Sequence, residues 1–425
     1  MDPRAEPRAS VGARASGHRA QQLTGVCDIL PDREEEKTMN ARLDRRRFLR
    51  HTLSGSAGIA LMGTPAWKAA AQVVEGTPLR DIGSIGISDP ALVELSINEN
   101  PLGPPRRAVE EVAKRMFGMN RYMFGVTPLE EELAKLHEVP VEMVMTGVGS
   151  TEILRLVTLS SFYERKGNTV TGFPSYPQVP RETEELGRVV KRVKLRPDFS
   201  LDLEAMAAAV DADTRIVTLC NPNNPTGQIL DPAELRRFLG KIPRDIVVPI
   251  DEAYIHFVDQ PSYPTAIPLA KEFPNVIVVR TFSKAYGLGG ARVGYGIANP
   301  ELLKKMKIFG IGELNKNTLS IAAALGALDD PDHVLRTVST VREGKKYLYS
   351  QLEQMGYKPI RTQTIFVTVE VGKGVKALIE ALRERKVNVR EAFDMEGYMR
   401  ISVGLPKENE VFIEELRKLP RPTAG

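Results

Sequence analysis

Apolar positions in this chain recur with two alternating periods from about residue 127 onward. Residues 130–136 carry helical spacing behind Thr127-Pro128, a start signal for a helix. Residues 143–146 read as a short strand, followed by Gly147-Val148-Gly149-Ser150 and a helical run over 151–162. Residues 169–173 and 215–220 read as strands stopped at Pro174 and at Asn221-Pro222. Runs 246–250 and 276–280 are apolar and rich in β-branched residues, as strands buried on both faces are. This alternation predicts an α/β layered sheet with helices on both faces. The last hundred residues change character. A long polar helix over 334–355, strands at 364–371, 387–389 and 399–403, and a helix at 375–385 predict a separate α+β domain.

With 425 residues the chain is too long for one compact core. Its formal charge of +4 is unevenly placed: residues 1–71 hold 12 Lys and Arg against 8 Asp and Glu, and the body is neutral. A neutral body without a basic stripe argues against nucleic-acid binding, and no apolar stretch reaches membrane-spanning length. Cys27 falls in the prefix and Cys220 in the body, so cysteine usage does not assign a redox compartment.

The prefix reads as an address. Residues 1–38 lack apolar periodicity and have a disordered composition. From Met39, expected to be the true start, Arg45-Arg46-Arg47-Phe48-Leu49 resembles a twin-arginine export signal, with Asp44 where Ser or Thr is usual. A weakly apolar stretch over 52–63 and the small-residue site Ala69-Ala70-Ala71 follow in order. The expected location is therefore periplasmic, or cytoplasmic if the leader does not work.

Three motifs sit just past strand ends, where open α/β sheets place ligands: Asn-Pro-Asn-Asn-Pro-Thr-Gly (221–227), Asp-Glu-Ala-Tyr (251–254) and Thr-Phe-Ser-Lys-Ala-Tyr-Gly-Leu-Gly-Gly-Ala-Arg (281–292). A lysine past a strand is ordinarily a solvated surface residue. Lys284 differs in its company. Asp251 ends an apolar strand, where a carboxylate is costly unless paired. Tyr254 and Asn224 offer hydrogen bonds, although a core aromatic and a turn residue would read the same. Gly149, Ser150 and Thr151 open a helix whose N–H groups suit a phosphate, or simply cap it. Thr281 and Arg292 add a hydroxyl and a guanidinium. An amine, a carboxylate, hydroxyls and a phosphate cup are what a pyridoxal phosphate enzyme needs.

Together with Asn-Glu-Asn-Pro-Leu-Gly-Pro (98–104), Gly-Val-Gly-Ser-Thr-Glu (147–152) and Pro-Ser-Tyr (174–176), these motifs resemble the fold-type I pyridoxal phosphate-dependent aminotransferases, most of all the histidinol-phosphate aminotransferases. The likeness runs over about 95–403. It implies a large cofactor domain (118–312) with a mainly parallel seven-stranded sheet, plus a smaller α+β domain built from N- and C-terminal segments (72–117 and 313–425). It implies Lys284 as the Schiff-base lysine, Asp251 on the pyridinium nitrogen, Tyr254 and Asn224 on the 3-hydroxyl, and Tyr176 stacked on the ring. Gly149, Ser150, Thr151, Thr281, Ser283 and Arg292 match the phosphate cup, and Asn100, Arg390 and Arg400 the substrate site. Tyr122 falls where the family lends a tyrosine to the neighbouring subunit, which implies a homodimer. The chain has Val148, Thr151 and Met123 where the family often has Asn, Asp and Pro.

The resemblance implies transfer of an amino group from a small-molecule donor, an amino acid or amino-alcohol phosphate, to a 2-oxo acid. Lys284 would carry the α-proton, and no metal is expected. Decarboxylases, lyases and amino-acid oxidases share the scaffold and stay open as alternatives. Histidine biosynthesis is cytoplasmic, so an exported enzyme would act on another substrate.

Overall fold

A computed structural model describes residues 92–260, 262–312 and 316–421. The export signal expected at 45–49, the prefix and residues 72–91 lie outside them. The strands are β1 (Val93–Glu94), β2 (Val144–Val148), β3 (Asn168–Phe173), β4 (Val189–Lys194), β5 (Thr214–Cys220), β6 (Val248–Asp251) and β7 (Val276–Thr281), followed by β8 (Val293–Ala298), β9 (Lys358–Ile360), β10 (Phe366–Glu370), β11 (Val387–Asn388), β12 (Arg390–Glu391) and β13 (Tyr398–Ser402).

Seven strands form the main sheet in the order β2-β8-β7-β6-β5-β3-β4. The neighbours from β7 through β4 pair in parallel, and β8 runs antiparallel to both β7 and β2. The central strands β6 and β7 are buried along their whole length. Each Val or Ile there removes an apolar side chain from water, worth about 1.5–3 kcal/mol. The helix Pro128–Leu136 starts at a capping box: Thr127 Oγ1 accepts from Glu130 N, and Glu130 Oε2 accepts from Thr127 N.

Two expectations need extension. The Gly-rich stretch after Arg292 holds β8, and β4 closes the far edge. The Val-Val-Lys-Arg-Val-Lys pattern of β4 is a charged edge strand, which hides from a search for apolar runs. In β8, a Cβ on Gly294 would sit 2.3 Å from Ser150 N, so glycine lets the strand pass beneath the start of the helix Gly149–Phe162.

A second, four-stranded antiparallel sheet has the order β12-β13-β10-β9. β1 pairs in parallel with β11, and Leu95 packs into the same core as Phe366, Ile401 and Phe412. The smaller α+β unit thus uses both ends of the described chain. The helix Thr318–Leu328 gives Ile321, Ala324 and Ala327 to the large sheet's core instead. No helix among the described residues is long and apolar enough to cross a membrane.

Candidate active site

The ends of β5, β6 and β7 deliver Asn224, Asp251 and Lys284 to one cleft, the place a parallel sheet offers a ligand. Cys220 and Asp251 are register partners, as are Asp251 and Val279. Asp251 is buried, and its Oδ1 accepts from Ala253 N at 3.0 Å. Burial raises its carboxyl to about 6, Glu252 beside it adds to the rise, and the Lys284 ammonium opposes it.

Glu252 points to the opposite face of the sheet. Its Oε2 accepts from Arg280 Nε and Nη2, each at 2.9 Å. Thr265 Oγ1 and Ala266 N donate to the same carboxylate. The neighbouring carboxylate is therefore compensated locally, while Asp251 has no cationic hydrogen-bond partner among the described residues.

The Tyr254 hydroxyl is buried and accepts from Asn98 Nδ2 at 3.0 Å and Asn224 Nδ2 at 3.4 Å. Burial pushes its phenol well above the usual range, opposed by the Arg400 guanidinium. Arg400 Nη1 donates to Asn224 Oδ1 at 2.8 Å and Nη2 to Ser96 O at 3.0 Å, while its buried Nε has no hydrogen-bond partner among the described residues. The guanidinium lies 5.3 Å from the Phe366 ring centre and 5.7 Å from that of Phe393. Burial lowers it to about 10, and Arg390, its cross-strand neighbour, adds to the fall. Arg390 itself is exposed.

Lys284 Nζ donates to Asn98 O at 3.0 Å and Ile97 O at 3.3 Å. Burial lowers its amine to about 8, with Arg400 and Arg292 adding to the fall and Glu99 and Asp251 opposing it. The lowered value raises the neutral fraction near neutral pH far above that of an ordinary lysine, as a nucleophilic, proton-carrying amine requires. Tyr176 is half-buried above the end of β3, and burial beside Asp251 pushes its phenol up to about 12.

The other end of the cleft is more open. Gly149 begins the helix Gly149–Phe162, which has no side-chain cap. Arg292 lies against it: a Cβ on Gly149 would come 2.4 Å from Arg292 Nη2. Gly149 has φ +72°, a further reason for glycine there. Arg292 is exposed, and Ser150 and Thr151 are half-buried. Thr281 Oγ1 donates to Ser283 Oγ at 2.9 Å and accepts from Ser283 N.

Asn100, expected in the substrate site, braces the loop that carries Lys284: its Nδ2 lies within hydrogen-bond distance of Lys284 O, Ala285 O and Thr337 Oγ1, and its Oδ1 accepts from Leu102 N. Asn98, two residues earlier, went unnoticed in the sequence although its motif stood out. Tyr122 is 70% exposed.

The residues present fit pyridoxal phosphate. A buried carboxylate without a cation suits a protonated ring nitrogen, an uncapped helix start beside Arg292 suits a phosphate, and a low-pKa amine lies in the same cleft. Fold and site thus define a pyridoxal phosphate-dependent enzyme.

Comparisons narrow the class. The family description "Aminotransferase class I and II" matches residues 90–416. The histidinol-phosphate aminotransferase of Symbiobacterium thermophilum is 37% identical over 349 residues, 81% of this chain and 94% of that protein. That of Akkermansia muciniphila is 35% identical over 348 residues, again 81% and 94%. The solved histidinol-phosphate aminotransferase from Sinorhizobium meliloti in complex with pyridoxal-5'-phosphate has a TM-score of 0.70 at 25% identity, covering 77% of this chain and 91% of that one. The chain belongs to the class I and II aminotransferases, and it is a pyridoxal phosphate-dependent transaminase.

Proposed function

We propose that this aminotransferase takes amino donors that carry an anion, an α-carboxylate or a phosphate, and passes the amino group to a 2-oxo acid through Lys284. The observation that carries this reading is the Lys284 amine, lowered to about 8 by burial, in a cleft with Asp251 and the partly unpartnered Arg400. When bound, pyridoxal phosphate supplies an aldehyde for amines and a ring that takes up the electron pair left when Cα–H breaks.

The chain's own residues do the rest. Gly149, Ser150, Thr151, Thr281, Ser283 and Arg292 would bind the phosphate. Asp251 would face the ring nitrogen, Asn224 and Tyr254 the ring oxygen, and Tyr176 the ring's flat face. Lys284 Nζ takes the proton from the substrate's Cα and holds it for return. Arg400 and Arg390, paired across β12 and β13, would grip the donor's anion. The relatives are named for histidinol phosphate, an amino-alcohol phosphate; an exported enzyme would take another donor of that anionic class. Screening amino acids and amino-alcohol phosphates one at a time tests this. Conversion of the cofactor to its amine form by donor alone supports transamination, and release of carbon dioxide in its place would establish a decarboxylase.

A homodimer is part of the same reading. Phe117, Met119, Tyr122, Phe124 and Val126 are all exposed within one short segment, a cluster of apolar side chains of the kind that interaction sites use. A second copy would cover it and receive Tyr122 at its phosphate site. Export is proposed from Arg45, Arg46 and the apolar stretch that follows. Finding the folded protein in the cytoplasm with residues 39–71 attached would overturn it.

A further inference from the structure

Hydrogen-bond accounting around Tyr254 assigns a task to Asn98. The Asn98 main chain donates from N to Ser402 Oγ at 2.8 Å. Having accepted there, Ser402 gives its single hydroxyl proton to Asn98 Oδ1 at 3.0 Å. The Asn98 amide is thereby held with its oxygen toward Ser402 and its Nδ2 toward Tyr254. Asn224 is held the same way, because the guanidinium of Arg400 can only donate and so claims Oδ1. Two NH2 groups therefore face one phenol oxygen, at 3.0 and 3.4 Å. Neither can accept the phenol's proton, and the described hydrogen bonds include no acceptor for it.

We propose that Asn98 is a positioning residue that fills the acceptor side of the Tyr254 hydroxyl and so leaves the Tyr254 proton for the ring oxygen of the bound cofactor. The proposal rests on Tyr254 serving that oxygen. It also accounts for the backbone: Asn98 is buried with φ +58°, a left-handed conformation that asparagine tolerates better than most residues. The same residue holds Lys284 through its carbonyl and reaches β13 through Ser402. One short segment thus sets the phenol and the amine relative to the strand that bears Arg400. The charged and titratable groups facing Tyr254 are Arg400, Lys284, Cys220 and Tyr176, and all stay in place in the variants below.

The test follows the visible absorption of the cofactor-loaded enzyme as a function of pH. A hydrogen bond donated to the ring oxygen stabilises its negative charge, so losing it raises the absorption midpoint, by about one pH unit. Tyr254→Phe gives the reference shift. Asn98→Asp replaces the Nδ2 donor with an acceptor that captures the phenol's proton, and it should reproduce that shift. Asn98→Gly keeps the left-handed backbone without the side chain and should shift the midpoint less, in the same direction. The double variant Asn98→Asp/Tyr254→Phe should shift no further than Tyr254→Phe alone. Melting of the cofactor-free proteins checks that each variant folds.

If Tyr254→Phe moves the midpoint while both Asn98 variants stay at the wild-type value, the role of Asn98 is overturned. Additive shifts in the double variant would also overturn it, since the new charge would then act without Tyr254. If Tyr254→Phe itself moves nothing, the assignment of Tyr254 to the ring oxygen fails, and the proposal falls with it.

Discussion

The two ends of the cleft are built to different standards. Around Asp251, Tyr254, Asn224 and Arg400 the side chains are buried, and hydrogen-bonded neighbours already aim Tyr254, Asn224 and Arg400. Around Gly149, Ser150, Thr151 and Arg292 the helix start has no side-chain cap, the arginine is exposed, and Tyr122 lies out on the surface. A preformed network fixes where a ring's charges are read and costs little reorganisation at the moment of reaction. An uncapped helix start gains its order from the anion that binds it, and in the proposed homodimer a second copy of the chain would complete it. Chemistry should therefore respond most to changes at the closed end, and cofactor affinity to changes at the open one.

The sharpest break is Lys284→Ala. Removing the proton carrier should lower single-turnover transamination by roughly 10⁴-fold, read by stopped-flow absorption. Asp251→Asn keeps the shape of the ring site but removes its charge. It should lower kcat by roughly 10²–10³-fold while cofactor affinity, measured by equilibrium dialysis, changes far less.

The same carboxylate gives a pH signature in the cofactor-free protein. Its folded value of about 6 lies above the ordinary carboxylate value, so the folded state holds this proton more tightly than the unfolded chain. The stability it contributes is fully present below the unfolded value of 3.8 and is lost as pH rises from there through the folded value of about 6. The loss should reach about 3 kcal/mol relative to Asp251→Asn, measured by urea unfolding of both proteins across that range.

Effects at the open end should be smaller and of another kind. Arg292→Gln should weaken cofactor binding by about 10–100-fold with little change in kcat once the enzyme is saturated. Tyr122→Phe should cost only severalfold in affinity. On the proposed homodimer, that loss should be measurable in the dimer and absent from diluted monomer, with sedimentation velocity reporting the state; a wild type that stays monomeric at all concentrations would contradict it.

The contrast also explains which parts could be read from the chain. β6 and β7 were legible because both faces are buried, so every position is apolar until Asp251 and Arg280. The charged edge strand β4 and the Gly-containing β8 follow other rules. One faces solvent, and the other must slip under Ser150. Among site residues, those on loops after apolar strands announced themselves. Asn98 did not, because its value lies in a left-handed backbone and a fixed amide orientation, neither of which composition shows. The resemblance places Asn100 in the substrate site, and only the hydrogen bonds show its amide also bracing the Lys284 loop.

Borohydride reduction of the cofactor-loaded protein, followed by peptide mass mapping, tests the central assignment most directly. A single reduced adduct on the peptide bearing Lys284, lost when that lysine is replaced, is the expected result. An adduct on another lysine, or none under full cofactor loading, would contradict the assignment of the reacting amine.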